Sequence, residues 1–445
     1  VYTYDSIGNP ISVKTGAESS GLANINNATG GVITTYTYDA LGRKTGETAP
    51  DGSTISYEYD FQGRLTKKTV GNNAPETYTY DVFDNLISKQ RDGESISYTY
   101  NAVGARTSMT DSTGTTNYAY DPFGNLTTEA KTGIVKSYTY DVLGNRTSFN
   151  AANGENSVIG NTYAYDNMGR LTSVTNGADT VSYTYDANSN RLSTAVNGTV
   201  TNTATYNKGN LPVEIKNFDG GTLVDTTAFA YYFDGNVRNQ VVTTANDSTS
   251  TNYRYDGVGR LTKERTYSES YTFDYTNEYF YDNYGNRRIF MQTDDQNNTI
   301  TNVDYTFDSK NKLITSDFRR HNKTDSSLDK RVISNYAYDD FGNTVSVTEN
   351  DELAKTYTYD AFNRLSTYTA DGVTASYTYD GDNLRQSKTV NGSTVNHLLD
   401  GANVVADIYP DSTNIYVYGN GVELFKTGGQ TSRYTKSYRG DVTAV

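Results

Sequence analysis

The sequence of 445 residues carries 38 Lys and Arg against 52 Asp and Glu, and this net charge of −14 disfavours nucleic acid and anionic lipid as partners. It has no Cys, which excludes disulfides, Cys-ligated zinc, iron–sulfur clusters and thiol nucleophiles. The hydrophobic fraction is only 35%, but 42 Tyr and 15 Phe are too many aromatic residues for a disordered chain.

The chain begins inside a short motif, Tyr-x-Tyr-Asp, which recurs along most of its length. From Asp39 to Asp141 the copies are spaced by 20 or 21 residues, and residues 207–335 are the least regular part. We therefore predict a repeat array over residues 1–395, and we expect Val1 to continue a longer polypeptide. Strict copies of the motif end at Asp5, Asp39, Asp60, Asp81, Asp121, Asp141, Asp166, Asp186, Asp256, Asp282, Asp339, Asp360 and Asp380. Degenerate copies end at Asn101, Asn207, Asp234 and Asp308.

Each repeat has the residues of a β-hairpin. Its two Tyr are two positions apart and so lie on one face of a strand. The Asp that follows can accept hydrogen bonds from nearby backbone N–H groups, and the Gly three residues later tolerates a positive φ. A second turn, such as Asp51-Gly52 or Asn391-Gly392, leads into the next strand. About 20 residues hold two strands and two turns but no helix, so the sequence predicts an all-β fold.

The same pattern defines the residues that we expect to build the repeat. The need for a turn already explains each motif Asp, so we predict a structural role for the motif and no catalytic residues. The residues expected to build the repeat are Tyr36, Tyr38, Asp39, Gly42, Tyr57, Tyr59, Asp60, Gly63, Tyr118, Tyr120, Asp121, Gly124, Tyr138, Tyr140, Asp141, Gly144, Tyr357, Tyr359 and Asp360.

The number of repeats constrains the shape of the sheet. Seventeen copies of the motif, with two strands each, predict roughly 35 strands, whereas open sheets rarely exceed about ten strands without curling or splitting. The hairpins are therefore expected to coil into a spiral sheet. A tight solenoid with a packed interior and a wide wall around a hollow both fit this pattern.

Little in the sequence indicates catalysis or metal binding. We expect His321 and His397 to be loop and strand-surface residues, because neither has a His or Cys at ligand spacing. Residues 293–298 carry oxygen ligands that suit calcium, but they lack the Gly and terminal Glu of an EF-hand, so a plain loop is favoured. Asp121-Pro122-Phe123-Gly124 is interpreted as a turn. We expect no enzyme activity, no metal and no cofactor, and no stretch has the roughly 20 apolar residues of a transmembrane helix.

The run Tyr-x-Tyr-Asp-x-x-Gly-Asn/Arg-Leu-Thr resembles the YD repeat of bacterial Rhs and wall-associated proteins, Tc toxin BC components and teneurins. Clear examples are residues 36–44, 118–127, 163–172 and 357–366. The stretches 399–407, 416–419 and 440–444 are similar to the start of an Rhs-associated core, so we expect residues 396–445 to form a separate, truncated segment of that kind.

The resemblance implies a β-strand spiral that forms part or all of a hollow shell or barrel. In this family the shell holds a C-terminal polypeptide, often a toxin. We therefore expect a scaffold of a secreted or bacterial surface protein that encloses or presents its own C-terminal segment or another polypeptide cargo. An adhesion or carbohydrate-binding module with a cell-surface glycan as partner, and an extracellular fibre or stalk, stay open as alternatives. The sequence stops before any Asp-based self-cleavage motif, so neither self-cleavage nor a toxin is assigned.

Overall fold

The computed structural model describes residues 1–15, 31–270, 274–436 and 442–444, and within these ranges the backbone forms strands and turns and no helix. None of the described residues therefore belongs to a helix long and apolar enough to cross a membrane. The prediction of an all-β fold is confirmed.

The strands are short and follow one another closely along the chain. They are β1 (Tyr2–Tyr4), β2 (Pro10–Thr15), β3 (Val32–Tyr38), β4 (Lys44–Thr48), β5 (Thr54–Tyr59), β6 (Leu65–Val70), β7 (Glu76–Tyr80), β8 (Leu86–Arg91), β9 (Glu94–Tyr100), β10 (Arg106–Asp111), β11 (Gly114–Tyr120), β12 (Leu126–Lys131), β13 (Ile134–Tyr140), β14 (Arg146–Asn153), β15 (Asn156–Tyr165), β16 (Leu171–Asn176), β17 (Asp179–Tyr185), β18 (Arg191–Val196), β19 (Thr199–Tyr206), β20 (Pro212–Asp219), β21 (Thr222–Tyr231), β22 (Val237–Thr244), β23 (Ser248–Tyr255), β24 (Leu261–Ser268), β25 (Asp274–Tyr281), β26 (Arg287–Asp294), β27 (Thr299–Phe307), β28 (Leu313–Asn322), β29 (Leu328–Tyr338), β30 (Thr344–Glu349), β31 (Glu352–Tyr359), β32 (Leu365–Ala370), β33 (Val373–Tyr379), β34 (Arg385–Val390), β35 (Ser393–Asp400), β36 (Asn403–Ile408), β37 (Thr413–Gly419), β38 (Gly421–Thr427), β39 (Gln430–Arg433), β40 (Thr435–Lys436) and β41 (Val442–Ala444).

Strands β1–β39 belong to one 39-stranded sheet, and β40 pairs with β41. Wherever the register is described, each strand pairs antiparallel with the next strand along the chain, as β3 does with β4 and β13 with β14. Each odd-numbered strand from β1 to β33 ends within a motif copy. The extra strands from β35 onward come from the C-terminal residues, which lack the motif, so counting motifs could not include them.

The register within a hairpin shifts at the second Tyr of the motif. In the pair β3–β4, Thr37 lies opposite Gly46 but Tyr38 lies opposite Lys44, so one residue of the returning strand has no direct partner. The same shift occurs at Tyr59 and Tyr140. It is a β-bulge, which is the usual companion of a hairpin turn of this length.

The chain divides into two compact units, and each combines two stretches of sequence. Unit 1 contains residues 1–104 and 277–377, and unit 2 contains residues 105–276 and 378–445. Within each unit, the later stretch lies against hairpins that precede it by more than 200 residues. The boundary that we placed between residues 395 and 396 stays a prediction, because it concerns motif content rather than compactness.

Two hydrophobic clusters of the described residues lie in unit 2. The first packs Tyr138, Phe149 and Ile159 of β13–β15 against Leu398 and Val405 of β35 and β36. The second packs residues of β16 and β17 against β37 and β38. In unit 1, Ile96 and Val347 are among the buried apolar residues. The core of unit 2 is thus shared between repeat strands and the strands that lack the motif.

Candidate functional site in the repeat hairpin

The motif turn at Asp141 shows how the repeat closes a hairpin. The Gly144 backbone N–H donates to the Asp141 carbonyl oxygen at 3.1 Å. Oδ1 of Asp141 accepts from the backbone N–H groups of Leu143 and Asn145, both at 2.9 Å. Oδ2 accepts from Nδ2 of Asn145, also at 2.9 Å, and this bond leads the causes that lower the pKa of Asp141. The Asp side chain therefore stays ionised and holds the turn together.

The residue three positions after the motif Asp adopts a left-handed backbone conformation. At Gly144 φ is +83°, and an added Cβ would meet no atom within 4 Å, so the preference for Gly is purely conformational. Some repeats have Asp or Asn in place of this Gly, and these two residue types tolerate the left-handed region better than most. Examples are Asp84 with φ +69° and Asn363 with φ +66°.

The residue after this position links one hairpin to the next. Arg43 donates from Nε to Oδ2 of Asp39 at 2.7 Å and from Nη1 to the carbonyl oxygen of Asp60 at 2.9 Å. Its guanidinium carbon also lies 4.9 Å from the ring centroid of Tyr59. The side chain thereby ties its own turn to the following one. The same contacts are made by Arg64 and Arg170.

The second Tyr of the motif makes another link between successive hairpins. Tyr59 donates its hydroxyl to the carbonyl oxygen of Lys44 at 2.8 Å, and Tyr140 donates to that of Leu126 at 3.0 Å. The acceptor is the first residue of the preceding return strand, and Phe could not make this bond. The same bond is made by Tyr38, Tyr80, Tyr100, Tyr120, Tyr165, Tyr185, Tyr206, Tyr231, Tyr255, Tyr338 and Tyr359.

The first Tyr of the motif lines the strand face on which the C-terminal strands of unit 2 lie. Tyr183 is buried beside Val417 and Leu424. It donates its hydroxyl to Oε1 of Glu423 at 2.9 Å and accepts from the backbone N–H of Asn420 at 3.2 Å. Burial raises the pKa of Tyr183 and the Glu423 carboxylate raises it further, so the phenol stays protonated as the donor.

Charged side chains also join the C-terminal strands to the repeat strands in unit 2. Arg146 donates from Nη1 to Oδ1 of Asp400 at 2.7 Å, and its guanidinium carbon lies 5.0 Å from the ring centroid of Tyr163. A second ion pair joins Lys426 to Asp179 at 2.6 Å. Both pairs bridge residues about 250 positions apart in sequence, and so they fix the C-terminal strands on the repeat strands.

The predicted repeat residues occupy equivalent places in separate hairpins and do not converge on one point. The carboxylates of Asp39, Asp60, Asp121 and Asp360 each accept from backbone N–H groups of their own turn, as that of Asp141 does. Within the described residues, no three His, Asp or Glu side chains are grouped as metal ligands. The motif shows the Arg or Asn after Gly, but the sequence does not predict that the Arg contacts the next hairpin. It also does not predict that Asp400 and Glu423 hold the C-terminal strands on the repeat strands.

Two details of the sequence interpretation were wrong. The degenerate motif assigned to Asp234 lies two residues earlier, because Tyr232 takes the Asp position: Gly235 donates its N–H to the Tyr232 carbonyl at 3.1 Å. His397 is not a strand-surface residue. Its side chain is 7% exposed, and Nδ1 lies 2.6 Å from Oδ1 of Asp407.

The acidic run 293–298 forms a turn that satisfies its own oxygens. Oδ1 of Asp294 accepts from the backbone N–H of Asn297 at 2.9 Å, and Oδ2 accepts from the side-chain amide of the same residue at 2.8 Å. The neighbouring Asp295 contacts Lys323. The stretch 440–444, which is similar to part of an Rhs-associated core, lies partly outside the described residues.

Comparisons with known proteins agree with this geometry. The family model described as Teneurin YD-shell matches residues 30–158 and 125–324, and the RHS Repeat model matches residues 338–374. No curated protein sequence matches the chain.

The chain also resembles solved structures at low sequence identity. The chain is similar over 99% of its length to a crystal structure of TcdB2-TccC3-Cdc42, with 14% identity and a TM-score of 0.52, and it covers 27% of that chain. A structure of the Tc holotoxin pore from Photorhabdus luminescens matches 99% of the chain with 12% identity and a TM-score of 0.47, and 31% of that chain is covered. The protein therefore spans less than a third of either chain. With the Teneurin YD-shell model matched over most of its repeats, the chain belongs to the family of Rhs and YD-repeat proteins.

Proposed function

We propose that the chain is a non-catalytic wall that encloses or presents a polypeptide segment attached to its C-terminal end. The observation that carries this proposal lies in unit 2, where strands β35–β39 do not extend the repeat pattern. Leu398 and Leu424 of these strands are buried in the two clusters against the first-Tyr face of the repeat hairpins. The chain is thereby led onto that face just before its C-terminal end.

The use of the motif residues supports a structural role. The motif Asp carboxylate holds its turn, the second Tyr hydroxyl bonds the preceding hairpin, and Arg after Gly bonds the following one. Side chains engaged in this way are not available as a nucleophile or a general base. The repeat therefore builds a surface, and steric isolation of the attached segment is the mechanism that such a surface provides.

The proposed partner is the protein's own C-terminal continuation or another polypeptide cargo, which in bacterial members of the family is often a toxin. The proposed location is the cell exterior or the bacterial surface. The net charge of −14 suits a soluble, non-adhering wall, since a strongly charged surface limits association with itself and with anionic lipid.

Limited proteolysis tests the proposal. A disordered, protease-sensitive segment is placed after Val445 in one protein and before Val1 in a second protein, which serves as the matched control. We expect the C-terminal segment to be cut more slowly than the same segment alone, and the N-terminal segment to be cut as fast as the free one. Equal cleavage rates at the two ends would contradict enclosure.

Two further measurements separate the alternatives. Electron microscopy should show hollow particles, whereas solid rods would favour a fibre or stalk. A glycan array should show no saturable binding. Binding that is lost when exposed Tyr residues are changed to Ala would instead favour an adhesion module.

A further inference from the structure

A cavity of about 290 Å³ lies within unit 2, between the repeat strands β10–β13 and the strands β34 and β35. Much of its wall is apolar. The apolar side chains that line it are Met109, Leu126, Ile134, Leu384, Leu398 and Leu399. Because one water molecule takes about 30 Å³ of the liquid, this volume suits a small organic molecule or a large side chain rather than a single water.

His397 lines the cavity and carries a hydrogen-bonding atom without a partner. Nδ1 lies 2.6 Å from Oδ1 of Asp407. A carboxylate can only accept, so Nδ1 holds the proton, and in the neutral ring Nε2 is an acceptor. Nε2 is buried, and no described residue makes a hydrogen bond with it. An unpaired buried acceptor costs free energy, so a ligand that donates to Nε2 would gain affinity from this bond.

Tyr118 supplies the opposite kind of group in the same cavity. Its hydroxyl oxygen accepts from Nη2 of Arg106 at 3.2 Å, and its ring centroid lies 4.8 Å from the guanidinium carbon. Burial raises the pKa of Tyr118, so the phenol keeps its proton. Within the described part of the chain no acceptor takes that proton, and it is available to a ligand.

The charged side chains around the cavity already have partners. The ion pairs are Arg106–Asp382, Lys131–Asp111 and Lys136–Glu129. The Asp380 carboxylate accepts from two backbone N–H groups and from the side-chain amide of Gln386. Burial nevertheless raises the pKa of Asp380, which shows that this part of the wall is poorly hydrated. A charged ligand would lose its hydration here without gaining an unpaired counter-ion, so the cavity favours a neutral one.

We propose that this cavity binds a small neutral group that has an apolar body and a hydroxyl, as a phenol does. A hydroxyl both donates and accepts, so it suits the acceptor on His397 and the donor on Tyr118 alike. The apolar body would be removed from water against the apolar wall. The group can belong to a free molecule or to the Tyr side chain of a peptide. This inference is independent of the proposed enclosure, because it concerns a gap between strands of unit 2 and not what the wall surrounds.

Isothermal titration calorimetry of the full chain with p-cresol tests the proposal. Toluene is the matched ligand, since it has the same methylated ring and lacks the hydroxyl. We expect p-cresol to bind about tenfold more tightly than toluene, as for a hydrogen bond made in a buried site. Y118F should remove most of this advantage and leave the affinity for toluene unchanged.

Y163F is the matched control for Y118F. The hydroxyl of Tyr163 also accepts from an arginine, Nη2 of Arg146 at 3.3 Å, but Tyr163 does not line the cavity. This variant should therefore bind both ligands as the native chain does. A second variant, H397L/D407N, removes the acceptor without leaving an unpaired carboxylate, and it should bind p-cresol no more tightly than toluene. Circular dichroism verifies that each variant keeps its β-sheet.

The peptide acetyl-Gly-Tyr-Gly-amide distinguishes the two sources of the ligand. Binding as tight as that of p-cresol would identify a Tyr side chain of a polypeptide, whereas binding of p-cresol alone would identify a free small molecule. Either result supports the site. Absence of p-cresol binding, equal affinities of the native chain for p-cresol and toluene, or equal losses in Y118F and Y163F would each overturn the proposal.

Discussion

Unit 1 and unit 2 are built from the same hairpin, yet they join distant stretches of sequence by different contacts. In unit 2, strands β35–β38 contribute Leu398, Val405 and Leu424 to apolar clusters with repeat strands, and the Arg146–Asp400 pair closes the contact. In unit 1, residues 277–377 meet residues 1–104 through hairpin turns, by means of ion pairs and cation–ring contacts.

The difference follows from what each stretch can offer. Repeat hairpins present Tyr, Thr and Ser on their faces, and their turns carry charges, so two runs of repeats meet well at their edges. The strands after residue 393 carry Leu, Val and Ala at positions that face the repeats, and burying such side chains supplies about 25 cal/mol per Å² of apolar surface. The contact between distant stretches should therefore depend mainly on apolar packing in unit 2, and mainly on ion pairs and cation–ring contacts in unit 1.

The largest expected effect is loss of packing in unit 2. Phe149 has no exposed surface, and we expect F149A to lower the free energy of unfolding by about 3–5 kcal/mol, because it leaves a cavity in the first cluster. The control F123A changes a 91% exposed ring and should alter stability by less than about 0.5 kcal/mol. Urea unfolding followed by circular dichroism measures both. Similar small losses would show that the cluster does not stabilise unit 2.

The next effect concerns the ion pair that closes the cluster. R146M should cost about 2–3 kcal/mol, less than for a fully buried pair, since the Arg146 side chain is 31% exposed while Asp400 is 11% exposed and would lose its partner. Adding D400N to R146M should recover part of the loss, because the unpaired charge is removed. Additive losses in this double-mutant cycle would mean that the two side chains are not coupled.

These contacts mark the limit of what the sequence predicts. The fold class, the hairpins and the turn role of the motif Asp follow from local patterns, because residues within a few positions of each other decide them. The partner of Arg146 cannot be predicted from local patterns, because Asp400 is more than 250 residues away. Nothing in the repeat specifies which later hairpin lies against Arg146. The misplaced motif at Asp234 has a different and local cause: Gly235 fixes the turn, and its position three residues after Tyr232 outweighs the presence of an Asp at 234.

The hydrogen bonds made by the hydroxyl of the second Tyr were not predicted either, although the sequence contains a signal for them. The motif repeats Tyr at that position where Phe would give the same burial, and so a specific acceptor could have been inferred. His397 gave no comparable signal. Its partner Asp407 lies opposite it because β35 and β36 form a hairpin in that register.

In unit 1 we expect a moderate effect where Arg91 lies over the ring of Phe341, in the motif turn after Asp339. Because R91M keeps the apolar stem but removes the cation over Phe341, we expect a loss of about 1–2 kcal/mol, as for a desolvated cation–ring contact. F341L should cost a similar amount through the same contact, and combining the two should cost little more than either alone. Urea unfolding of the three variants gives the coupling. A loss for R91M that persists unchanged in the F341L background would contradict the ring contact.

The smallest effect, and the one most dependent on pH, concerns the ion pair of Lys310 with Asp51. Burial opposes ionisation of Asp51, but hydrogen bonds from Lys310 and Ser53 outweigh it and lower its pKa from 3.8 to about 2. Because the pKa is lower in the folded protein than in the unfolded chain, the pair stabilises unit 1 fully above pH 3.8, and this contribution is lost as the pH falls towards 2. The Asp51 side chain is 39% exposed, so solvent screening limits the cost of K310M to about 1 kcal/mol or less at neutral pH.

Urea unfolding measures the difference in stability between the native chain and K310M. We expect this difference to shrink as the pH falls from 3.8 towards 2, and to shrink with added salt at pH 7. The matched variant K67M removes a more exposed pair with Glu58 and should show a smaller difference throughout. A K310M difference that stays constant with pH and salt would mean that Lys310 holds the turn by packing and not by charge.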